Sequence, residues 1–165
     1  MKYLIPLFAA ALLFSSCDDT RAKLHEEYLE FVMHTDDLDS VHAAMTEKHE
    51  GLKSQSMTLQ ERLADLEMTD SAALSDLMAH QEMLNTQAQK LSDIQAIINT
   101  HQSMDDDMVK NSDDLTAMSE KIKEINTNNE KISENLEKIK SELNKIHEDQ
   151  QEIKKGLAKE DSTEI

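Results

Sequence analysis

Three segments of this chain share one pattern, a histidine followed three residues later by a methionine: His42-Ala43-Ala44-Met45, His80-Gln81-Glu82-Met83 and His101-Gln102-Ser103-Met104. On a helix, positions i and i+3 lie on one face, so each pair presents an imidazole and a thioether side by side. These are soft donors suited to Cu(I), and Met33-His34, His49 and Met108 add to them. The same residues serve packing. Methionine fills irregular gaps in helical seams, and all of the six except Met83 and Met104 fall on the heptad columns that run along the chain. Packing is the preferred reading, so no metal ligand, cofactor or catalytic residue is assigned. Charging of His42 and His49 in mild acid is expected to loosen the helices around them.

Other chemistry fails on spacing. His25-Glu26-Glu27-Tyr28-Leu29 and His147-Glu148-Asp149-Gln150-Gln151 begin like a zinc-protease helix, but each lacks the second histidine. The aspartate runs lack the glycine and closing glutamate of a calcium loop. No glycine-rich phosphate loop and no G-x-S-x-G turn occurs. No enzymatic activity is expected.

Cys17 is the only cysteine. Before it come a basic start at Met1-Lys2, an apolar run from Tyr3 to Phe14, and the small Ser15 and Ser16; Asp18 and Asp19 follow. That order describes a secretory signal, and the run is shorter than the roughly 20 apolar residues a membrane span needs. With the cysteine at its exit, the segment resembles a bacterial lipoprotein signal, although Phe14 stands where leucine is usual. The resemblance implies a signal peptide over 1–16, lipid attachment (palmitate) at Cys17, and an anchor or linker over 17–23. It implies attachment to a membrane of the bacterial cell envelope, the outer membrane favoured, facing the periplasm or the surface.

The chain has 17 basic and 34 acidic residues, a formal charge of −17. Such a balance repels nucleic acid, and no nucleic-acid partner is expected. Beyond residue 16 there is no proline and no tryptophan; the aromatics are Tyr28 and Phe31, and the glycines Gly51 and Gly156. A compact domain of this length uses more turn formers and aromatics. Their scarcity predicts an all-α fold of long helices with narrow apolar seams.

The seams follow heptads. Leu24, Phe31, Leu38, Met45, Leu52, Leu59 and Leu66 recur every seven residues, with the companion column Tyr28, Thr35, His42, His49, Ser56, Leu63 and Asp70. The polar middle of the companion column predicts a neighbouring helix that satisfies His42 and His49. Cap-forming Thr69, Asp70 and Ser71 predict a break near 68–71. Leu77, Leu84, Leu91 and Ile98 then alternate with Ala73, His80, Gln87, Ile94 and His101. The spacing slips at Met104, and the polar residues of 105–114 predict a turn, with a distorted continuous helix as the alternative. The last third is the most regular. Leu115, Ile122, Asn129, Leu136, Leu143, Gln150 and Leu157 pair with Met118, Ile125, Ile132, Ile139, Ile146 and Ile153. Leucine in the first column and isoleucine in the second favours three or four strands, and Asn129 in the seam fixes register.

These elements predict an antiparallel helical hairpin or bundle with a C-terminal coiled coil. The helical region runs over 24–107, the coiled-coil helix over 108–158 and a disordered tail over 159–165. Each stripe is too narrow to be stable alone, so it must pair within the chain, with copies of the chain through the 115–157 heptads, or with another protein.

The layout also resembles small flavobacterial coiled-coil lipoproteins labelled "viral A-type inclusion protein". The similar residues are Val41-His42-Ala43-Ala44-Met45, followed by Lys48 and Leu52, and His101-Gln102-Ser103-Met104-Asp105-Asp106-Asp107-Met108, where Asp107 stands in place of a tryptophan. The resemblance implies location and shape rather than an activity. Three functions are therefore expected as alternatives: a structural or scaffolding role in the envelope, soft-metal binding through the His-x-x-Met pairs, or a chaperone-like holder with adaptable methionine-rich faces.

Overall fold

The computed structural model describes the backbone over residues 4–65, 71–104 and 114–160 and side chains over 19–64, 72–104 and 114–158. The described chain is all-α. Helix α1 spans Leu4–Asp65, α2 Ser71–Gln102 and α3 Leu115–Glu160. No proline interrupts any of them after Pro6, which lies in the first turn of α1, where a missing N–H costs nothing. Segment 17–23, expected as an anchor or linker, lies inside α1. The helix expected over 108–158 is Leu115–Glu160. It starts where Asp114 caps it, the Oδ1 accepting from the Ala117 amide at 3.0 Å. The break expected near 68–71 falls between α1 and α2; of it, residues 68–70 lie outside the described residues. So do residues 105–113 of the expected turn and 161–165 of the expected tail. The described end of α2 is tightened. Ser103 N bonds Asn99 O, Met104 N bonds His101 O in a tightened last turn, and Ser103 Oγ closes on Thr100 O at 2.7 Å.

The chain divides into two compact units, each built from stretches of all three helices. One comprises Met1–Leu38 with Ile98–Lys131, the other Asp39–Ile97 with Ile132–Ile165. In the second unit, register is read from side chains that cross between helices. His42 meets Leu91 and His49 meets Leu84, so α1 and α2 run antiparallel. Lys48 meets Asn144 and Leu52 meets Gln150, so α1 and α3 run parallel. His80 meets Asp149 and Gln87 meets Glu142, so α2 and α3 run antiparallel. This is an up-down-up three-helix bundle, and it gives the narrow stripes two neighbours each.

The heptad columns are the core. Leu38, Leu52, Leu59 and Leu63 of α1, Leu77, Leu84, Leu91, Ile94 and Ile98 of α2, and Ile132, Leu136, Ile139, Leu143, Ile146 and Leu157 of α3 are all buried. One end of the second unit is closed by Leu59, Leu63, Leu77 and Leu157, with Ala73 and Ile153 packed on them. The first unit gathers the two aromatics: Leu24, Tyr28, Phe31, Met104, Ile122 and Ile125 form its cluster, with Val32, Leu115 and Met118 against it. Tyr28 and Phe31 lie 5.8 Å apart between ring centroids. Among the described residues, no helix is long and apolar enough to cross a membrane.

Candidate functional site

Among the described residues, nine polar side chains are buried on these seams: Thr35, His42, His49 and Ser56 on α1, His80, Gln87 and His101 on α2, and Asn129 and Gln150 on α3. A buried polar group left unmatched costs about 1–3 kcal/mol, so the partner of each decides what the ladder does.

His42 and His49 are satisfied across the α1–α2 contact. Each Nε2 donates to a backbone carbonyl of α2, His42 to Leu91 O and His49 to Leu84 O, both at 2.8 Å. The two donors are seven residues apart on one helix, and so are the two acceptors on the other. One heptad's geometry is thus repeated in the next, and a carbonyl can only accept, so both rings carry their proton on Nε2. The sequence placed these rings against a neighbouring helix, and there they lie. His49 Nδ1 also sits 3.3 Å from Glu50 Oε1.

Gln87 and His80 cross from α2 to α3, and Gln150 crosses from α3 to α1. Gln150 Nε2 donates to Leu52 O at 3.2 Å, Gln87 Nε2 to Glu142 Oε2 at 3.1 Å and His80 Nε2 to Asp149 Oδ2 at 3.2 Å. Each of these three is half-satisfied. Gln87 Oε1, Gln150 Oε1 and His80 Nδ1 have no partner among the described residues, nor do Ser56 Oγ and Thr46 Oγ1.

In the first unit one polar layer joins all three helices. Asn129 Nδ2 donates to Thr35 Oγ1 at 2.9 Å, and Asn129 Oδ1 accepts from His101 Nδ1 at 2.9 Å. The carbonyl oxygen fixes His101 as the Nδ1–H tautomer. Burial holds the His101 pKa below its ordinary value; the Asn129 bond and the nearby Glu124 charge oppose this but do not overcome it. Phe31 meets the ring edge-on at 6.0 Å. Tyr28 Oη donates to Met104 O at 3.1 Å and so holds the residue just past the α2 end.

Two cavities border the His101 ring. One of about 270 Å³ is lined by Thr100, His101, Met104, Lys121, Glu124 and Ile125, among others. The other, of about 160 Å³, includes Phe31, Thr35, His101 and Met104. Among the described residues no group of three or more histidine, cysteine, aspartate or glutamate side chains is placed to hold a metal ion.

The three His-x-x-Met pairs thus meet different fates. His42 and His80 spend one nitrogen on interhelical bonds in the second unit, while His101 and Met104 come together beside a cavity in the first. The side chain of Cys17 lies outside the described residues. The columns of the sequence contained Thr35, His101 and Asn129, but nothing in a linear pattern pairs them. Thr46 lies on no column and was missed. The chain matches no known protein family, no curated protein and no solved structure.

Proposed function

We propose that this chain is a lipid-anchored helical protein of the bacterial cell envelope, attached through Cys17, with a structural or protein-interaction role. The anchor rests on the order of residues before Cys17: basic start, apolar run, small exit. The role rests on one structural observation. Of the buried polar residues described, all but Ser56 make a hydrogen bond to another helix and so hold register, as Thr35, Asn129 and His101 do. Asn129 within a mostly apolar seam is the attested use of such a residue. The seam over 115–157 is filled by the chain's own α1 and α2, so self-association through it requires α3 to exchange between copies. A partner protein meets the outer faces, where Leu29, Met33, Met57, Leu74 and Met78 are exposed and acidic side chains predominate.

Stable anchoring takes two or more acyl chains. Labelling cells with a palmitate analogue and fractionating their membranes tests the reading. Label on the chain, lost together with membrane retention in Cys17→Ala, is the expected result. An unlabelled chain recovered with residues 1–16 still attached would overturn it.

A further inference from the structure

The pairing of His101 with Met104 goes beyond a structural role. We propose that the cavity beside His101 binds a soft monovalent cation, Cu(I) or Ag(I), through His101 Nε2 and the Met104 thioether.

Four observations converge. First, His101 Nδ1 is occupied by Asn129 Oδ1 at 2.9 Å. A metal-ligating histidine needs that arrangement, in which its other ring nitrogen donates to a fixed acceptor and the ligating nitrogen keeps its lone pair. Second, the remaining nitrogen, Nε2, has no partner among the described residues, and His101 lines a cavity of about 270 Å³. Third, Met104 borders the same cavity, and its backbone is held by the Tyr28 hydroxyl from α1 rather than by a continuing helix. Fourth, burial favours the neutral ring, so fewer protons compete for the nitrogen near neutral pH.

The donor set selects the cation. A neutral imidazole and a thioether suit Cu(I) or Ag(I), not magnesium or calcium. Zinc sites draw on three or more nitrogen, thiolate or carboxylate ligands, and no such group is placed for it among the described residues. Glu124 lines the cavity and supplies one negative charge; Lys121 lines it too and can extend its ammonium to water. The other two pairs lack this arrangement. His42 Nε2 is committed to Leu91 O, and His80 has its free Nδ1 sealed from solvent.

The test uses the full chain in detergent with Cys17→Ser, so that no thiol competes. Ag(I), which needs no reductant, is titrated while histidine nitrogens are followed by long-range proton–nitrogen spectra; Cu(I) under anaerobic reductant repeats the count. At one equivalent, His101 Nε2 and the Met104 methyl should shift while His101 Nδ1 stays protonated. Met104→Leu should abolish that response with helical content unchanged, and Met83→Leu should leave it intact. Movement confined to the exposed His25 or His34, undiminished binding by Met104→Leu, or no response at one equivalent would each overturn the proposal. If Met104→Leu fails to fold, the His101 and Met104 signals of the parent chain still decide.

Discussion

At the scale of single residues, His101 and Ser56 show opposite uses of a buried polar atom. His101 is kept neutral in the folded chain, since burial lowers its pKa below the unfolded value of about 6.5. Between the folded and unfolded values the unfolded chain therefore binds more protons, and stability rises with pH across that window. The contribution is complete above about 6.5 and is lost as pH falls towards the folded value. The groups facing the ring are Asn129, Thr35 and Phe31, with Glu124 and Lys121 across the cavity. Urea midpoints measured from pH 7.5 down to 5 should fall, and His101→Gln should flatten the slope. An equally steep slope in the variant would assign the effect elsewhere. Ser56 is wholly buried and its hydroxyl has no partner among the described residues. Ser56→Ala removes that desolvation cost at almost constant volume and should raise stability by about 1 kcal/mol in the same urea assay. A loss of stability would show that the hydroxyl is satisfied.

At the scale of elements, helix continuity and an all-α bundle were legible, and the particular interhelical pairings were not. Heptad columns are local, and every column residue from Leu77 to Ile98 lies on α2 where its spacing placed it. The slip at Met104 marked the α2 end because two three-residue steps cannot keep one seam facing a partner; in the structure Met104 stands just outside α2, buried. Whether the α3 seam meets its own chain or a copy depends on loop closure and register, which no column encodes. Nor does it encode that Asn129 bridges Thr35, 94 residues away in sequence. The described start of α3 carries a cap, Asp114 accepting the Ala117 amide; residues 108–113 of the helix expected over 108–158 lie outside the described residues. Gly51 is the element-scale weak point. It sits mid-helix in α1, and a Cβ there would touch nothing within 4 Å. Gly51→Ala should therefore gain the full propensity difference, about 1 kcal/mol. Gly156 is equally open but lies in the last turns of α3, where fraying halves the benefit or more. Thermal melts of the two variants should rank Gly51→Ala above Gly156→Ala, and the reverse order would show that the C-terminal turns are the more tightly held.

At the scale of the whole molecule, seams and charge oppose one another. Apolar columns draw the helices together, while a formal charge of −17 spread over 165 residues pushes them apart. Surface ion pairs offset little of this. Lys140 and Glu137 pair at 3.1 Å, but both are about half exposed, and such pairs contribute between nothing and about 1 kcal/mol. The two effects respond to salt with opposite sign. Salt at about 0.15 M shortens the screening length to about 8 Å, which weakens isolated ion pairs but also relieves like-charge repulsion, strongest on α1, where twelve acidic residues outnumber five basic ones. With acids outnumbering bases two to one, the repulsive part dominates. The melting temperature at neutral pH should therefore rise as sodium chloride is raised from about 10 mM to about 150 mM and then level off, because by then only close pairs interact unscreened. Sulfate at equal ionic strength should raise it further by strengthening apolar burial. A melting temperature that falls over the first interval would mean that attractive ion pairs, rather than the heptad seams, hold the helices together.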